Sequence, residues 1–352
     1  MAEFGRPTRL AAARNLALTL FISLAGGMVA HLMRLPAGLL MGGSVTIAIA
    51  AIAGFRPHVP DRLRDSGFVV VGMTLGTNVA ADTLSLIGQW PVTLFGLALA
   101  LAIMVATSSL MLRFGFGYDK ATAYLSSFPG HLSFVISLSE SGYGDTRQIA
   151  VIQSMRILLL TVLVPVFARL TSSHDLSPLP TGAEMALVPL LLLAVAAIAG
   201  GFAFQFLRVP AAFVLGPMVV ATAGKLMGLY DGRLPSLLTA IGYVVMGALI
   251  GSRFAGATLG ELRRMAAAGT MVTLVCIFVV SAAALTLSPA TGMPSGQIWL
   301  GLAPGALESM GALGIALGFD TAFIAAHHTA RFFLLTLSIP SVALLMGRKR
   351  NR

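Results

Sequence analysis

The second half of this chain repeats the first in an almost constant register. Gly26-Gly27 returns as Gly200-Gly201, and Arg34-Leu35-Pro36-Ala37 as Arg208-Val209-Pro210-Ala211, both at an offset of 174. From there the offset is 175. It pairs Gly72 and Gly76 with Gly247 and Gly251, Thr83-Leu84 with Thr258-Leu259, and Pro129-Gly130 with Pro304-Gly305. It also pairs Asp145-Thr146 with Asp320-Thr321, Arg156 with Arg331, and Pro165 with Pro340. Chance does not hold one register over so many positions, so the chain is an internal duplication. Residues 1–170 form repeat one and 185–352 form repeat two. Residues 171–184, with Pro178 and Pro180, form a polar linker.

Each copy is strongly apolar. Of 352 residues, 57% are hydrophobic and 10% charged, where a soluble domain carries about 25% charged residues. Apolar runs cover residues 10–30, 35–54, 67–81, 91–112, 121–139 and 148–170 in repeat one. In repeat two they cover 185–206, 210–229, 234–252, 265–287, 298–317 and 321–346. Such runs predict an all-α polytopic membrane protein. A β-barrel would instead alternate apolar and polar residues in segments of about ten, and no such segment occurs. The one cysteine, Cys276, excludes an internal disulfide and a thiolate metal cage. Arg6 and Arg9 precede the first apolar run and Arg14 lies near its start, a pattern that resembles a signal peptide. No A-x-A cleavage site follows, so it reads as an uncleaved first span.

The net charge of +10 does not point to nucleic acid. Its basic residues sit in short loops and at both termini, as expected of segments held in the cytoplasm, and no DNA-binding motif is present. The same charges orient the repeats. Residues 82–90 carry no Lys or Arg, whereas the equivalent loop of repeat two holds Arg253, Arg263 and Arg264. The next loop reverses this, with Arg113 and Lys120 in repeat one and none in residues 288–297. Equivalent loops should therefore face opposite sides, which predicts two inverted repeats with both termini cytoplasmic. That inversion needs an odd number of crossings per repeat, yet each has six apolar segments. The fifth is interrupted, by Pro129-Gly130 in one copy and Pro304-Gly305 in the other, where a helix loses a donor and gains freedom to turn. Each repeat is thus expected to hold about five transmembrane helices plus one broken or re-entrant hairpin. A kinked full span is the alternative.

The ionisable residues inside apolar runs are the candidate site. Arg156 and Arg331 each lie near the middle of a helix, with a polar neighbour three residues earlier, Gln153 and His328, on the same face. An arginine fork suits a carboxylate; an internal ion pair with Glu308 or Glu140 is the structural alternative. The assigned solute-binding residues are Arg156, Arg331, Gln153, His328, Pro129, Gly130, Pro304 and Gly305. Glu308, His327 and His131 are candidates for coupling, since a neutral imidazole relays protons; a packing role is the other reading of the histidines. No metal site is expected, because adjacent histidines on a helix point about 100° apart and no ligand spacing accompanies them.

These features together resemble a known family. The duplication, the R-L-P-A and R-V-P-A motifs, S-F-P-G-H beside A-P-G-A-L-E-S-M, and G-F-D-T followed by H-H-T-A-R are similar to the AbrB-type duplicated membrane proteins of bacteria. The resemblance spans nearly the whole chain. Members carry labels such as ammonia monooxygenase or AbrB family transcriptional regulator. The sequence shows no copper or iron oxygenase constellation and nothing like a small soluble DNA-binding fold.

The expected function is secondary transport of a small anionic or zwitterionic organic solute across the bacterial inner membrane, driven by an ion or proton. No Walker A motif is present to draw on ATP. No enzymatic activity, cofactor or nucleic-acid partner is expected, and the lipid bilayer is the environment, with room for a homodimer. A membrane protein acting in the regulation of gene expression is the alternative.

Overall fold

The apolar runs fold as helices, the solution in which every backbone donor and acceptor is met within one segment. The computed structural model describes residues 9–79, 83, 87–129, 135, 139, 142–171, 183–209 and 211–346. Among these are thirteen α-helices. Repeat one supplies α1 (Arg9–Leu32), α2 (Gly38–Ile52), α3 (Asp61–Thr77), α4 (Trp90–Gly115), α5 (Lys120–Ser127) and α6 (Thr146–Thr171). Repeat two supplies α7 (Leu187–Phe206), α8 (Ala212–Leu226), α9 (Ser236–Ser252), α10 (Leu259–Thr291), α11 (Ser295–Leu302), α12 (Leu307–Ala316) and α13 (Thr321–Met346). Five of them are long and apolar enough to cross a membrane.

Two boundaries differ from the apolar runs. α3 starts at Asp61 rather than 67, because Asp61 sits in its first turn and Arg64 pairs with Asp61 and Asp65. α10 starts at Leu259, so Arg263 and Arg264 lie in its first turns and not in a loop.

The helices form two units that cut across the repeats. One holds α1–α3 and α7–α9 with the end of α6; the other holds α4, α5, most of α6 and α10–α13. Each unit thus draws on both copies.

In the first unit, α1 packs on α2 and α7 on α8, while α2 packs on α9 and α8 on α3. Glycines set these distances. A Cβ at Gly72 would stand 2.3 Å from the Val214 carbonyl oxygen, and one at Gly247 would stand 2.8 Å from that of Leu40. The Gly72/Gly76 and Gly247/Gly251 steps are therefore close helix contacts. The R-x-P-A motif is a backbone device. Arg34 and Arg208 take φ of 55° and 56°, and Ala37 and Ala211 take 52° and 50°. The first of each pair ends a helix in the left-handed conformation, with Leu35 N–H returning to the Ala30 carbonyl and Val209 N–H to that of Phe204. The second is the N-cap of the next helix. Pro36 therefore lies in the turn ahead of α2, not in its first helical turn, and Pro210 lies outside the described residues.

In the second unit, repeat two's fifth segment breaks as its sequence predicts. α11 ends at Leu302, Ala303 is extended, and α12 begins after Pro304-Gly305. The chain then turns back. Asp320 N–H, just past α12, donates to Gln297 Oε1 at the start of α11 over 3.1 Å. A Cβ at Gly296 would meet Phe319 Cζ at 2.6 Å. At 1.5 Å per residue α11 and α12 rise only about 12 and 15 Å, so neither alone crosses a core of about 30 Å. Repeat one has the same closure: Asp145 N–H donates to the Thr122 hydroxyl of α5 over 2.7 Å. Thr122 and Gln297 are equivalent positions of the duplication, as are Asp145 and Asp320. Both aspartates then cap the next helix. Asp145 Oδ1 accepts from Arg147 N–H and Gln148 N–H, and Asp320 Oδ1 accepts from Ala322 N–H.

Candidate functional site

With α6 starting at Thr146 and α13 at Thr321, Arg156 and Arg331 both lie ten residues in, about 15 Å along their helices. Both belong to the second unit. Their polar neighbours do the same work. Gln153 Nε2 donates to the Leu125 carbonyl over 2.7 Å, and His328 Nε2 donates to the Leu300 carbonyl over 3.0 Å. Leu125 and Leu300 are again equivalent in the two copies. Each side chain thereby ties its long helix to the outgoing arm of its own hairpin.

The arginines themselves differ. Arg331 Nη1 donates to the Ala303 carbonyl, and its Nη2 donates to the Gly305 carbonyl over 2.9 Å. Nη2 also reaches Nδ1 of His328 at 3.2 Å. Because His328 Nε2 faces a carbonyl and so carries a proton, its Nδ1 is left to accept from Arg331, as a neutral ring does. Arg331 therefore fastens carbonyls that the break at Pro304-Gly305 withdraws from helical bonding. Arg156 is only 1% exposed, and its Nε and Nη1 find no hydrogen-bond partner among the described residues. Neither arginine forms an ion pair among the described residues. The two guanidinium groups are within electrostatic reach of each other and of the buried Cys276 on α10, and Glu308 is within reach of Arg331.

Glu308 is 7% exposed, in the first turn of α12, where the helix N-terminus favours negative charge. His327 is fully buried and points elsewhere from His328. Its Nδ1 is 2.8 Å from the Phe323 carbonyl, its Nε2 is 2.8 Å from the Thr93 hydroxyl of α4, and its ring lies over Phe323. Thr93 and its neighbour Trp90 carry no signal in sequence for this role. Pro129 is buried just beyond α5. Gly130, His131, Ser133 and Glu140 lie outside the described residues. Among the described residues no three His, Cys, Asp or Glu side chains gather closely enough to hold a metal ion.

Unsatisfied polar atoms mark the region as a whole. Apart from His31 Nδ1 and Tyr243 Oη, the buried side-chain atoms without a partner among the described residues belong to the second unit. They include Ser126 Oγ, Gln153 Oε1, both Arg156 nitrogens, Ser309 Oγ and Asp320 Oδ2. Buried polar groups are nearly always paired, so this concentration sets the second unit apart among the described residues.

Long apolar helices, two interrupted segments and arginines at helix mid-length define a polytopic helical membrane protein. The chain belongs to the AbrB family, described as "Transition state regulatory protein AbrB", whose model matches residues 39–347. It is similar to "Uncharacterized protein YhjN" of Bacillus subtilis (strain 168), with 25% identity over 94% of both chains. It is also similar to "Putative regulator AbrB" of Escherichia coli (strain K12), with 26% identity over 46% of both chains.

Proposed function

We propose that the protein is a secondary transporter of a small anionic or zwitterionic organic solute in the bacterial inner membrane. The observation that carries this reading is Arg156, wholly buried with two donors that find no partner among the described residues. A buried cation without a partner is costly, and an anionic occupant relieves that cost. The two doubled-back segments support the reading as re-entrant hairpins of inverted repeats, a plan that gathers broken backbone around a midplane site. Basic residues near the helix ends, Arg253, Arg263 and Arg264 among them, support the inversion and cytoplasmic termini. Glu308 and His327 are the candidates for coupling to an ion or proton.

The test is a thermal-shift and calorimetric screen of carboxylates and amino acids against the protein in lipid nanodiscs. Arg156→Ala should abolish the binding found for wild type while the variant remains folded; unchanged binding removes the assigned site. Thiol labelling of cysteines placed beside Asp145 and Asp320 tests the inversion, and labelling of both from one side contradicts it. The regulatory reading is carried by the family's description and by the name of the Escherichia coli relative. It prevails if deletion alters transcription while every tested solute flux stays normal.

A further inference from the structure

Contacts within the second unit sort its helix ends into two groups. In the first, Tyr118 N–H donates to the Leu112 carbonyl, so the end of α4 meets the approach to α5. Asp145 N–H donates to the Thr122 hydroxyl, which brings in the start of α6. Arg147 Nη2 donates to Glu261 Oε2 over 2.9 Å, which adds the start of α10. In the second, Thr93 and Trp90 at the start of α4 meet His327 and Phe323 at the start of α13. A Cβ at Gly96 would stand 2.5 Å from Leu287 Cδ1 near the end of α10, and Gln297 of α11 accepts from Asp320 N–H.

The basic residues follow this division. The first group holds Arg113, Lys120, Arg147, Arg263 and Arg264, whereas residues 78–96, 281–300 and 317–323 around the second hold no Lys or Arg. Sidedness in a bilayer follows Lys and Arg, and Asp and Glu add little. Neither Asp119, Asp145 and Glu261 nor Glu140, outside the described residues, therefore alters it. Apolar side chains are exposed among these cations. Phe114 is 73% exposed beside Arg113, whose guanidinium lies 5.1 Å from the ring centre. Leu259 is exposed one turn before the exposed Arg263, on the same face of α10. With 33 residues α10 is about 50 Å long against a core of about 30 Å, so its ends reach the headgroup layers.

We propose that the first group of helix ends is a docking surface for anionic phospholipid of the inner leaflet, with Arg263 and Arg264 as its principal headgroup contacts. Glu261 is buried and turned toward Arg147, while the two arginines stand exposed on other faces of the helix. Cations beside exposed Phe114 and Leu259 fit the boundary between headgroups and acyl chains, where phosphate and hydrocarbon meet. The surface rests on the membrane reading and its cytoplasmic side, and needs no transported solute.

The experiment titrates the full chain in a neutral detergent with phosphatidylglycerol, phosphatidylcholine and soluble glycerol phosphate, read by thermal shift and by native mass spectrometry of retained lipid. Phosphatidylglycerol should raise the melting temperature and bind at least about tenfold tighter than phosphatidylcholine, about 1.4 kcal/mol. Arg263→Gln/Arg264→Gln should lose most of that preference, and Arg263→Lys/Arg264→Lys should keep it; Arg263→Gln alone serves if the double variant does not fold. Equal binding of the two lipids by wild type overturns the proposal. So does an unmoved preference in an Arg263→Gln/Arg264→Gln protein that melts like wild type. Glycerol phosphate as effective as phosphatidylglycerol overturns the lipid assignment. Absence of solute binding in a protein that keeps its lipid preference counts against the transport reading alone.

Discussion

Arg156 and Arg331 occupy matching places in the two copies, yet their donors are spent differently. Arg331 holds the carbonyls of Ala303 and Gly305 and the ring of His328. Arg156 is fully buried, and its Nε and Nη1 find no partner among the described residues. Around them the copies agree closely. Gln153 and His328 fasten equivalent leucine carbonyls, and Asp145 and Asp320 close equivalent hairpins before capping equivalent helices. Duplication has thus preserved the supports while separating the uses of the cation. One arginine serves the break in its own chain; the other is the candidate for meeting a ligand.

The largest effect should come from Arg156→Ala. Solute affinity should fall about 100-fold or more, the usual consequence of deleting one side of a buried charge contact. Stability without solute should hold or rise, because a buried cation with two donors lacking partners among the described residues is removed. Calorimetry beside thermal melting reads both. Loss of stability would mean that Arg156 is a structural clamp like its counterpart.

Arg331→Ala should do the reverse in kind. It strands two carbonyls beside the break and should cost about 2–3 kcal/mol, with the range set by soluble and membrane hydrogen-bond values. The melting temperature should drop by several degrees. Cys276, the only cysteine and a buried one, gives a second readout: its alkylation should speed up in Arg331→Ala and slow down when solute is bound to wild type.

A smaller effect should follow at the polar neighbours. His328→Gln imports the residue of the other copy, keeps a donor for Leu300, and should cost below about 1 kcal/mol. His328→Leu removes that donor and should cost about 1–2 kcal/mol. Equal losses in the two variants would show that the carbonyl bond is not what His328 contributes.

The smallest effect lies where the copies agree best. Arg34→Gly and Arg208→Gly each relieve a left-handed residue and should each raise stability by about 0.5–1 kcal/mol. Unequal increments would separate two turns whose backbone angles nearly coincide.

Legibility of these features in the sequence follows their physical origin. Helical segments and their duplication are readable because apolar length and register persist through substitution. The break at Pro304-Gly305 is readable because proline and glycine act locally. Whether the segment kinks or turns back depends on Thr122, Gln297 and two aspartate amides, contacts that no periodicity encodes. Arg156 and Arg331 stand out by charge alone, but the partners of Arg331 are mainly main-chain oxygens, which leave no residue-type signature. Thr93 beside His327 is invisible for a related reason, since a buried hydroxyl on a distant helix looks like any other threonine. The start of α10 escapes a charge-based reading because arginines in the opening turns of a helix resemble a loop.

The interleaving of the copies bears on how the chain is made. Gly72 of α3 closes against Val214 of α8, which belongs to the other copy and is translated much later. At typical synthesis rates of about 5–20 residues per second, the wait is on the order of 10 s. During it the notched faces of α2 and α3 lack their native covers from α9 and α8. An early product of repeat one alone would carry half of each unit and the whole of neither. Insertion machinery or lipid must therefore shelter these faces until the later helices arrive, and two separately expressed halves should recover a native assembly only when made together.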